Sequence, residues 1–461
     1  MLRPGEGTFK GSVNRMKINI PEQAVKIINV LEQAGFEAYV VGGCVRDSLL
    51  KKEPKDWDIT TSAKPEQVKA LFSRTIDTGI EHGTVTVMMD KVGYEVTTYR
   101  EDGEYKDHRR PMGVTFTSSL KDDLKRRDFT INAMAYNETE GLVDLFGGKE
   151  DLEHGILRCV GEAKDRFDED ALRILRALRF SAQLNFELEE KTKEAMREKC
   201  VFLEDISAER IQVELTKLLV SGHPEKLLTG YELGITKVVL PEFDAMIKTP
   251  QNHPYHCYNV GLHTMEVVKN IEPEPVLRWA ALLHDVAKPK CRTQDEKGVD
   301  HFYGHEVQGE KMAAEVIKRM RLDNHTLHDV CTLVRHHDDW FQLPIRKSAL
   351  KRKLNKIGPE LFSQLLKLNK ADSLGQAPQT WEEKDEYLKQ VRLVFDEVMQ
   401  EEECFSLKDL AVSGADLIAA GIKPGKEMGE LLKELLEEVI SHPENNQKEI
   451  LLDMALSRYE K

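Results

Sequence analysis

Two aspartates one residue apart, Asp56 and Asp58 in KDWDITT, are the side chains of this 461-residue chain best suited to gripping a hard cation. On an extended backbone, residues i and i+2 project to one face roughly 6–7 Å apart. Both carboxylates then face the same way while Trp57 turns toward packing. Adjacent carboxylates repel unless a positive charge lies between them, and Mg²⁺, which prefers oxygen ligands and keeps some waters, suits that geometry. Such ions activate an attacking hydroxyl and neutralise a triphosphate in an in-line displacement. Upstream, Gly42 and Gly43 let the backbone approach phosphate closely, and Arg46 offers a guanidinium. An aspartate-decorated hairpin edge would account for the same residues without chemistry. Glu95 in YEVTTYR is either a third carboxylate for this site or a cross-strand charge partner.

A second group of residues is cationic. RRDFTINAMAYN places Arg127 at the start of an expected helix with Asp128 as its cap, where a helix N-terminus reinforces anion binding. In EDALRILRALRF, at about 100° per residue, Asp170, Arg173, Arg176 and Arg179 fall on one half of a helix. Ile174, Leu175 and Leu178 cover the other half. Three arginines in an arc repel unless an anion or nucleic acid compensates them. A surface helix with an Asp170–Arg173 pair, worth a few tenths of a kcal/mol, is the simpler alternative.

A third group is imidazole. Ten of the fifteen histidines lie between residues 253 and 337. Imidazole mixed with carboxylate fits a divalent transition ion such as Mn²⁺, Ni²⁺, Co²⁺ or Fe²⁺ better than Mg²⁺ alone.

Taken with GGCVRD ahead of it, DWD resembles the first motif of the nucleotidyltransferase superfamily, and within it the class II tRNA nucleotidyltransferase and bacterial poly(A) polymerase family. RRDFTIN and EDALR match further motifs of that family in the same order. The resemblance implies that Asp56 and Asp58 are catalytic and hold Mg²⁺. It also implies that Gly43, Arg46, Arg127, Asp170, Arg173, Arg176 and Arg179 bind nucleotide. Asp170 and Arg173 would read the base: a carboxylate accepts from the exocyclic amine shared by C and A, and a guanidinium donates to a neighbouring ring acceptor. U and G would leave that pair unpaired. Arg176 and Arg179 would face phosphates. The segment REDGEYKDHRRPMGVTF (100–116), around Gly103 and Gly113, resembles the flexible loop used in switching from C to A.

GLHTMEV, LLHDVAK, GHEVQGEKMA, VRHHDDW and NKADSLG together resemble an HD phosphohydrolase domain. The implied metal ligands are His263, His284, Asp285 and Asp372, with His305 and His336 as candidates for a second ion. The function implied is template-independent addition of CCA to the tRNA 3′ end from CTP and ATP, with pyrophosphate released. An A-adding or CC-adding enzyme or a poly(A) polymerase is the alternative within the family. An HD phosphohydrolase acting on nucleotides or RNA ends is the alternative from another class.

These groups must be held by more than one core, since the chain is too long for a single ordinary one. FEAYVVGG, DWDITT, TVTVMM and YEVTTYR read as strands around KPEQVKALF, a helix. From about residue 148 the spacing becomes helical almost throughout, as in SAERIQVELTKLLVSG and GHEVQGEKMAAEVIKRM. The expected fold is α+β: a nucleotidyltransferase head with a small mixed sheet over 20–147, then a helical neck for base selection and RNA binding over 148–245. An HD metal-binding domain follows over 250–375 and a helical tail over 376–461. The tail, with its GIKPG turn, resembles the C-terminal element of the Gram-positive-type members, and a packing or dimerisation helix pair explains it equally well.

Apolar residues at 40% and charged residues at 32% describe a soluble protein, with no apolar run able to cross a membrane. The N-terminal twenty residues lack an apolar signal core and read as a disordered lead-in. Seven scattered cysteines fit reduced thiols in a cytoplasmic protein. A net charge of −14 excludes a uniformly basic coat, but residues 345–370 hold eight Lys/Arg against one acid. That strip is a candidate tRNA contact or a solvated helix face.

Overall fold

The computed structural model describes residues 17–102, 105–106, 110–111, 114–401 and 404–459. Residues 1–16 of the expected lead-in, and much of the expected switching loop including Gly103 and Gly113, lie outside the described residues. The chain divides into two compact units, one formed by the chain up to Glu214 plus Lys226–Val239, the other by Leu215–Glu225 and the chain from Leu240 onward. The expected head and most of the neck fall in the first unit, and the expected HD and tail segments in the second.

The first unit is built on a seven-stranded mixed sheet: β1 (Ala38–Val41), β2 (Ile59–Thr61), β3 (Thr75–Gly79), β4 (Thr84–Met89), β5 (Val92–Thr98), β6 (Met134–Asn137) and β7 (Gly141–Asp144), in the order β7-β6-β1-β2-β5-β4-β3. β1 and β6 are fully buried and apolar except for Asn137 at the end of β6, as expected of central strands. β1 runs antiparallel to both neighbours, with Val40 opposite Tyr136 on one side and Ile59 on the other. β2 runs parallel to β5, setting Ile59 opposite Val96. The helix Glu22–Gln33 turns Ala24, Ile27, Ile28 and Leu31 inward, the spacing of one helical face.

Three local expectations fail. The chain after Arg127 forms only a 3₁₀ turn, Thr130–Asn132, before entering β6, so no helix follows. The apolar letters of INAMAY that suggest a helix are instead buried by strand pairing. The expected strand DWDITT begins only at Ile59, leaving both aspartates in the approach to it. The long helix expected across EDALRILRALRF breaks at Asp170, between Ala163–Glu169 and Leu172–Leu184. There the backbone is extended, with φ −141° and ψ 102°.

The second unit is helical. The helices Val260–Asn270, Pro275–Leu283, His305–Arg319, Asn324–His336 and Pro359–Leu374 carry its histidine-rich part. Trp279 is fully buried there and its Nε1–H donates to Thr216 Oγ1 at 3.0 Å. The tail helices Gly414–Ala419, Lys426–Ser441 and Lys448–Tyr459 share a core cluster of Leu417, Leu435, Val439, Leu451 and Ala455. Among the described residues, no helix is long and apolar enough to cross a membrane.

The helix that presents His263 packs with almost no clearance: a Cβ on Gly261 would lie 2.5 Å from the Ile247 side chain and 2.7 Å from its backbone nitrogen. Gly261→Ala should therefore destabilise the second unit by about 1–3 kcal/mol, read as a lower urea midpoint at unchanged slope.

Candidate functional site

In the first unit, the sheet positions the carboxylates. The Asp58 carbonyl accepts from Val41 N–H at 3.0 Å, pinning the approach to β2 against β1. Asp58 stands one position before the Ile59–Val96 pair, which brings it alongside Glu95 on the parallel β5. Partial burial raises the Asp58 carboxyl above its ordinary value, and Glu95 and Asp56 push it further up against the pull of Arg127. The structure thus sets Glu95 within electrostatic reach of Asp58, a third acid beside the two that the D-x-D motif shows. Repelling carboxylates of this kind are what a divalent cation relieves.

Arg127 reaches this cluster because Gly42 gives it room. Gly42 adopts φ +80°, and a Cβ there would lie 2.9 Å from Arg127 Nη1. Arg127 is held by Asp123, fully buried, whose two oxygens also accept from Arg126 (Nη2 at 2.7 Å and Nε at 3.0 Å) and from Thr60 Oγ1 at 3.1 Å. Burial alone would raise the Asp123 carboxyl, but Arg127 and Arg126 hold it below its ordinary value. Neither partner was foreseen, and Asp123 itself gives no motif signal.

Asp128 is not a helix cap. Its Oδ1 accepts from Phe129 N–H and Asn132, while Oδ2 takes a two-pronged contact from Arg176 at 2.6 and 2.9 Å. Burial pushes this carboxyl up, yet the guanidinium of Arg176 outweighs it and leaves it at about 2. Arg46 is largely buried, donating to Asn132 Oδ1 at 2.7 Å and pairing with Asp47. Arg173 pairs with Glu169 and donates to the carbonyls of Arg166 and Arg126. Arg179 is buried against Glu214 at 2.5 Å and Gln183 at 2.7 Å, its guanidinium 3.8 Å from the Phe180 ring centre. Each arginine of the arc therefore has a carboxylate from the protein itself.

Arg126, Arg127, Asp128, Asp170, Leu172, Arg173, Arg176 and Arg210 line a cavity of about 310 Å³. The predicted Arg127, Asp170, Arg173 and Arg176 meet there; Gly43, Arg46 and Arg179 do not line it. Asp170 does not pair with Arg173. Its Oδ1 caps Leu172 N–H at 3.1 Å and its Oδ2 takes Arg210 Nη2 at 2.7 Å. Arg210 comes from the helix Ala208–Leu219, where only the four-residue spacing of Arg210 and Glu214 in AERIQVEL hinted that two residues reach the arginine helix. Arg127 Nε and Arg210 Nη1 are buried without an acceptor among the described residues, a cost that a bound ligand with acceptor atoms would offset.

The second unit assembles the histidines around Asp285. One carboxylate oxygen, Oδ2, lies 3.5 Å from His263 Nε2 and 3.2 Å from His284 Nε2; the other, Oδ1, lies 3.5 Å from His305 Nε2 and 3.7 Å from His337 Nε2. Asp372 Oδ1 joins the first group, 2.9 Å from His263 Nε2. The four imidazoles each place Nδ1 on a backbone carbonyl: His263 on Gly375 (2.9 Å), His284 on Ala281 (2.7 Å), His305 on Phe302 (2.8 Å) and His337 on Val334 (2.7 Å). With Nδ1 occupied in this way, every Nε2 faces Asp285 and is the ring atom left for a metal, the arrangement of metal-ligating histidine. His263, His284 and Asp285 form one such cluster and Asp285, His305 and His337 another. His336 is not part of it, because its Nδ1 turns to Asp339 at 2.6 Å. Burial raises the Asp285 carboxyl, but His284 and Lys288, with Lys288 Nζ 2.7 Å away, hold it well below the carboxylate range.

Five of the eight cations in the basic strip are paired or buried within the protein. Lys347 pairs with Glu401 at 2.7 Å, Arg352 with Glu437 at 2.7 Å, Lys353 with Asp339 and Lys367 with Glu272 at 3.4 Å, while Lys351 is buried. It offers no continuous row of open cations.

The chain matches a Poly A polymerase head domain over residues 38–158, a probable RNA and SrmB-binding site of polymerase A over 185–247 and tRNA nucleotidyltransferase domain 2 over 303–455. It is 35% identical over 440 residues to the CCA-adding enzyme of Enterococcus faecalis, covering 94% of this chain and 95% of that one. It is 55% identical over 209 residues to the CCA-adding enzyme of Lactiplantibacillus plantarum, spanning 45% of this chain and about half, 51%, of that relative. Among solved structures, the Bacillus stearothermophilus CCA-adding enzyme in complex with CTP superposes with a TM-score of 0.70 at 31% identity, covering 95% of this chain and 97% of that one.

The Asp128–Arg176 pair makes a pH-dependent contribution. With a folded value near 2 and an unfolded one near 4, the stabilisation of about 2 kcal/mol is complete above pH ~4 and drains away as the pH falls toward 2. Urea unfolding of Asp128→Asn beside the wild type should show that gap constant from pH 8 to 5 and narrowing only below about 4.

Proposed function

The chain belongs to the CCA-adding enzyme family, and we propose that the carboxylate cluster and arginine cavity of its first unit carry the reaction of that family. The protein is a tRNA nucleotidyltransferase that adds C, C and A to the tRNA 3′ end from CTP and ATP and releases pyrophosphate. Members of the family use divalent metals, typically Mg²⁺. Asp56 and Asp58, with Glu95 beside them, fit that ion by donor type and by their mutual repulsion. When bound there, Mg²⁺ neutralises the triphosphate and acidifies the terminal ribose hydroxyl.

The remaining work falls to side chains that the fold has already fixed. Arg127 belongs to both halves of the site, since it lines the cavity and its charge acts on Asp58. That shared residue is the observation that carries the proposal: it spans from the acids to the cavity where Asp170 and Arg173 face a nucleobase. Asp170 accepts from the amine of C or A, and Arg210 holds it in place. Arg173, immobilised by Glu169 and two carbonyls, donates to the ring. Selection then rests on protein groups rather than on a template strand.

The second unit's cluster fits a divalent transition metal by its donor set. His263, His284, Asp285 and Asp372 would hold one ion and Asp285, His305 and His337 a second, with Asp285 shared between them. That replaces His336 by its neighbour His337.

The reading is tested by incubating tRNA lacking its 3′ end with CTP, ATP or both and sequencing the products. The wild type should restore CCA, and Asp58→Ala should lower addition of every nucleotide by about 10³-fold or more. Arg210→Ala should cost about 10- to 100-fold in kcat/KM for CTP and ATP and raise UTP incorporation, since Asp170 loses its anchor. Failure to incorporate CTP with the wild type would sink the proposal.

A further inference from the structure

One phenylalanine gathers three of the first unit's arginines. Phe180 lies on the helix Leu172–Leu184 and is buried. The guanidinium carbons of Arg179, Arg46 and Arg176 lie over its ring, 3.8, 5.1 and 5.5 Å from the centre. Arg176 and Arg179 share its helix, but Arg46 comes from the short helix Gly43–Leu49 that opens at the Gly-Gly turn. Arg179 is already held by Glu214 and Gln183. The other two have a second, hydrogen-bonded connection. Arg46 Nη1 donates to Asn132 Oδ1 at 2.7 Å, and Asn132 Nδ2 donates to Asp128 Oδ1 at 3.2 Å. Asp128 Oδ2 accepts from Arg176 Nη2 at 2.6 Å and Nε at 2.9 Å. The path Arg46–Asn132–Asp128–Arg176–Phe180 therefore closes on itself.

Each half of this loop restrains the other. The polar half fixes directions through hydrogen bonds, and the aromatic half attracts both cations to one negative π-face. Two guanidinium groups brought to the same ring repel each other, and the ring offsets that repulsion without a further carboxylate. The ring is itself fixed edge-on by the fully buried Phe129, with centroids 5.8 Å apart and planes at 79°. Phe129 N–H donates to Asp128 Oδ1, so the same short segment supports both halves. The two ends of the loop reach the site. Arg176 lines the cavity, and Arg46 stands against Gly43, where a Cβ would lie 3.7 Å from its Nη2. An aliphatic side chain at 180 would fill core space as well, but would leave the two charges without that shared surface.

We propose that Phe180 is a positioning residue for nucleotide addition, its ring holding Arg46 and Arg176 in one arrangement around the incoming nucleotide. The inference rests on the reading of the first unit as the site of addition. The ring carries no net charge, so weakening its π-face leaves the net attraction for a triphosphate unchanged. What is lost is alignment, and a small misplacement of the groups that orient a substrate lowers the rate of the bound complex. The effect therefore falls on kcat rather than on KM. It falls on CTP and ATP alike, because Arg46 and Arg176 are not the side chains assigned to the base.

The experiment uses the full chain with Phe180 replaced by 4-fluoro-, 3,5-difluoro- and 3,4,5-trifluorophenylalanine, which withdraw negative charge from the ring face in steps at nearly constant shape. Addition to tRNA lacking its 3′ end is measured with CTP and with ATP, at a temperature where thermal unfolding shows every variant folded. Over the series kcat should fall stepwise by about tenfold, while KM for either nucleotide stays within about twofold. Phe180→Leu should lose at least as much as the trifluoro protein. A ring that only fills space predicts no dependence on fluorine count. A fluorinated series whose kcat stays within about twofold of wild type therefore overturns the proposal, whether Phe180→Leu is active, impaired or unfolded. A loss carried by KM alone overturns it too, since the ring would then serve binding strength and not alignment. In both cases a wild type that adds CCA leaves the assignment of the site standing. A wild type that incorporates no CTP overturns that assignment and the role of Phe180 with it.

Discussion

The first unit depends on keeping several guanidinium groups together around one small cavity. Like charges at such spacing repel strongly in a partly dry environment, and the fold answers with a carboxylate for each: Asp123 for Arg126 and Arg127, Asp128 for Arg176, Glu169 for Arg173, Asp170 for Arg210 and Glu214 for Arg179. Because these partners are buried or nearly so, removing one strands its mate, a loss of several kcal/mol rather than the fraction typical of surface pairs. The same contacts tie the sheet, the turn after Arg127 and the broken helix into one frame. Thr60, next to the carboxylate cluster on β2, and Arg127 meet on a single aspartate, Asp123.

The second unit solves the converse problem. Its excess is of lone pairs, and backbone carbonyls do the fixing: each imidazole gives up Nδ1–H to a helix-end or loop carbonyl and keeps Nε2 for the centre. Asp285 has to satisfy two pairs of histidines with its two oxygens, with Lys288 moderating its charge. The helix Pro275–Leu283 ends just ahead of it, and His284, still in helical conformation, closes that end and sets Asp285 directly after it.

What the sequence made legible was residue type and local order. Asp56, Asp58, His263, His284, Asp285 and Asp372 sit in short motifs whose letters already state their chemistry, and strands such as β4 and β5 follow from alternation. What stayed hidden was partner choice. His336 and His337 are adjacent, and about 100° of helical rotation decides which enters the cluster; helix packing sets that rotation, not the local letters. Arg210 lies forty residues from Asp170 and is joined to it only by tertiary structure. The continuous helix read across Asp170 failed because periodicity continues through the two-residue break at Asp170 and Ala171 that backbone geometry does not. The helix read after Arg127 failed because burial in a central strand overrides the helix propensity of the Ala and Met residues in INAMAY.

The balance of charge in the cavity bears on how it discriminates. Five guanidinium groups line it, and four carboxylates, Asp123, Asp128, Glu169 and Asp170, are paired with them. The site is therefore close to neutral overall while remaining dense in directed donors. A nearly neutral site gains little from net attraction to a triphosphate, which any nucleotide would exploit equally, and more from whether fixed donors and acceptors are met. The two buried nitrogens without acceptors, on Arg127 and Arg210, sharpen that dependence, because a ligand that fails to meet them leaves their desolvation uncompensated. Pairing the arginines internally thus exchanges raw affinity for discrimination, the property that an enzyme choosing its nucleotide without a template requires.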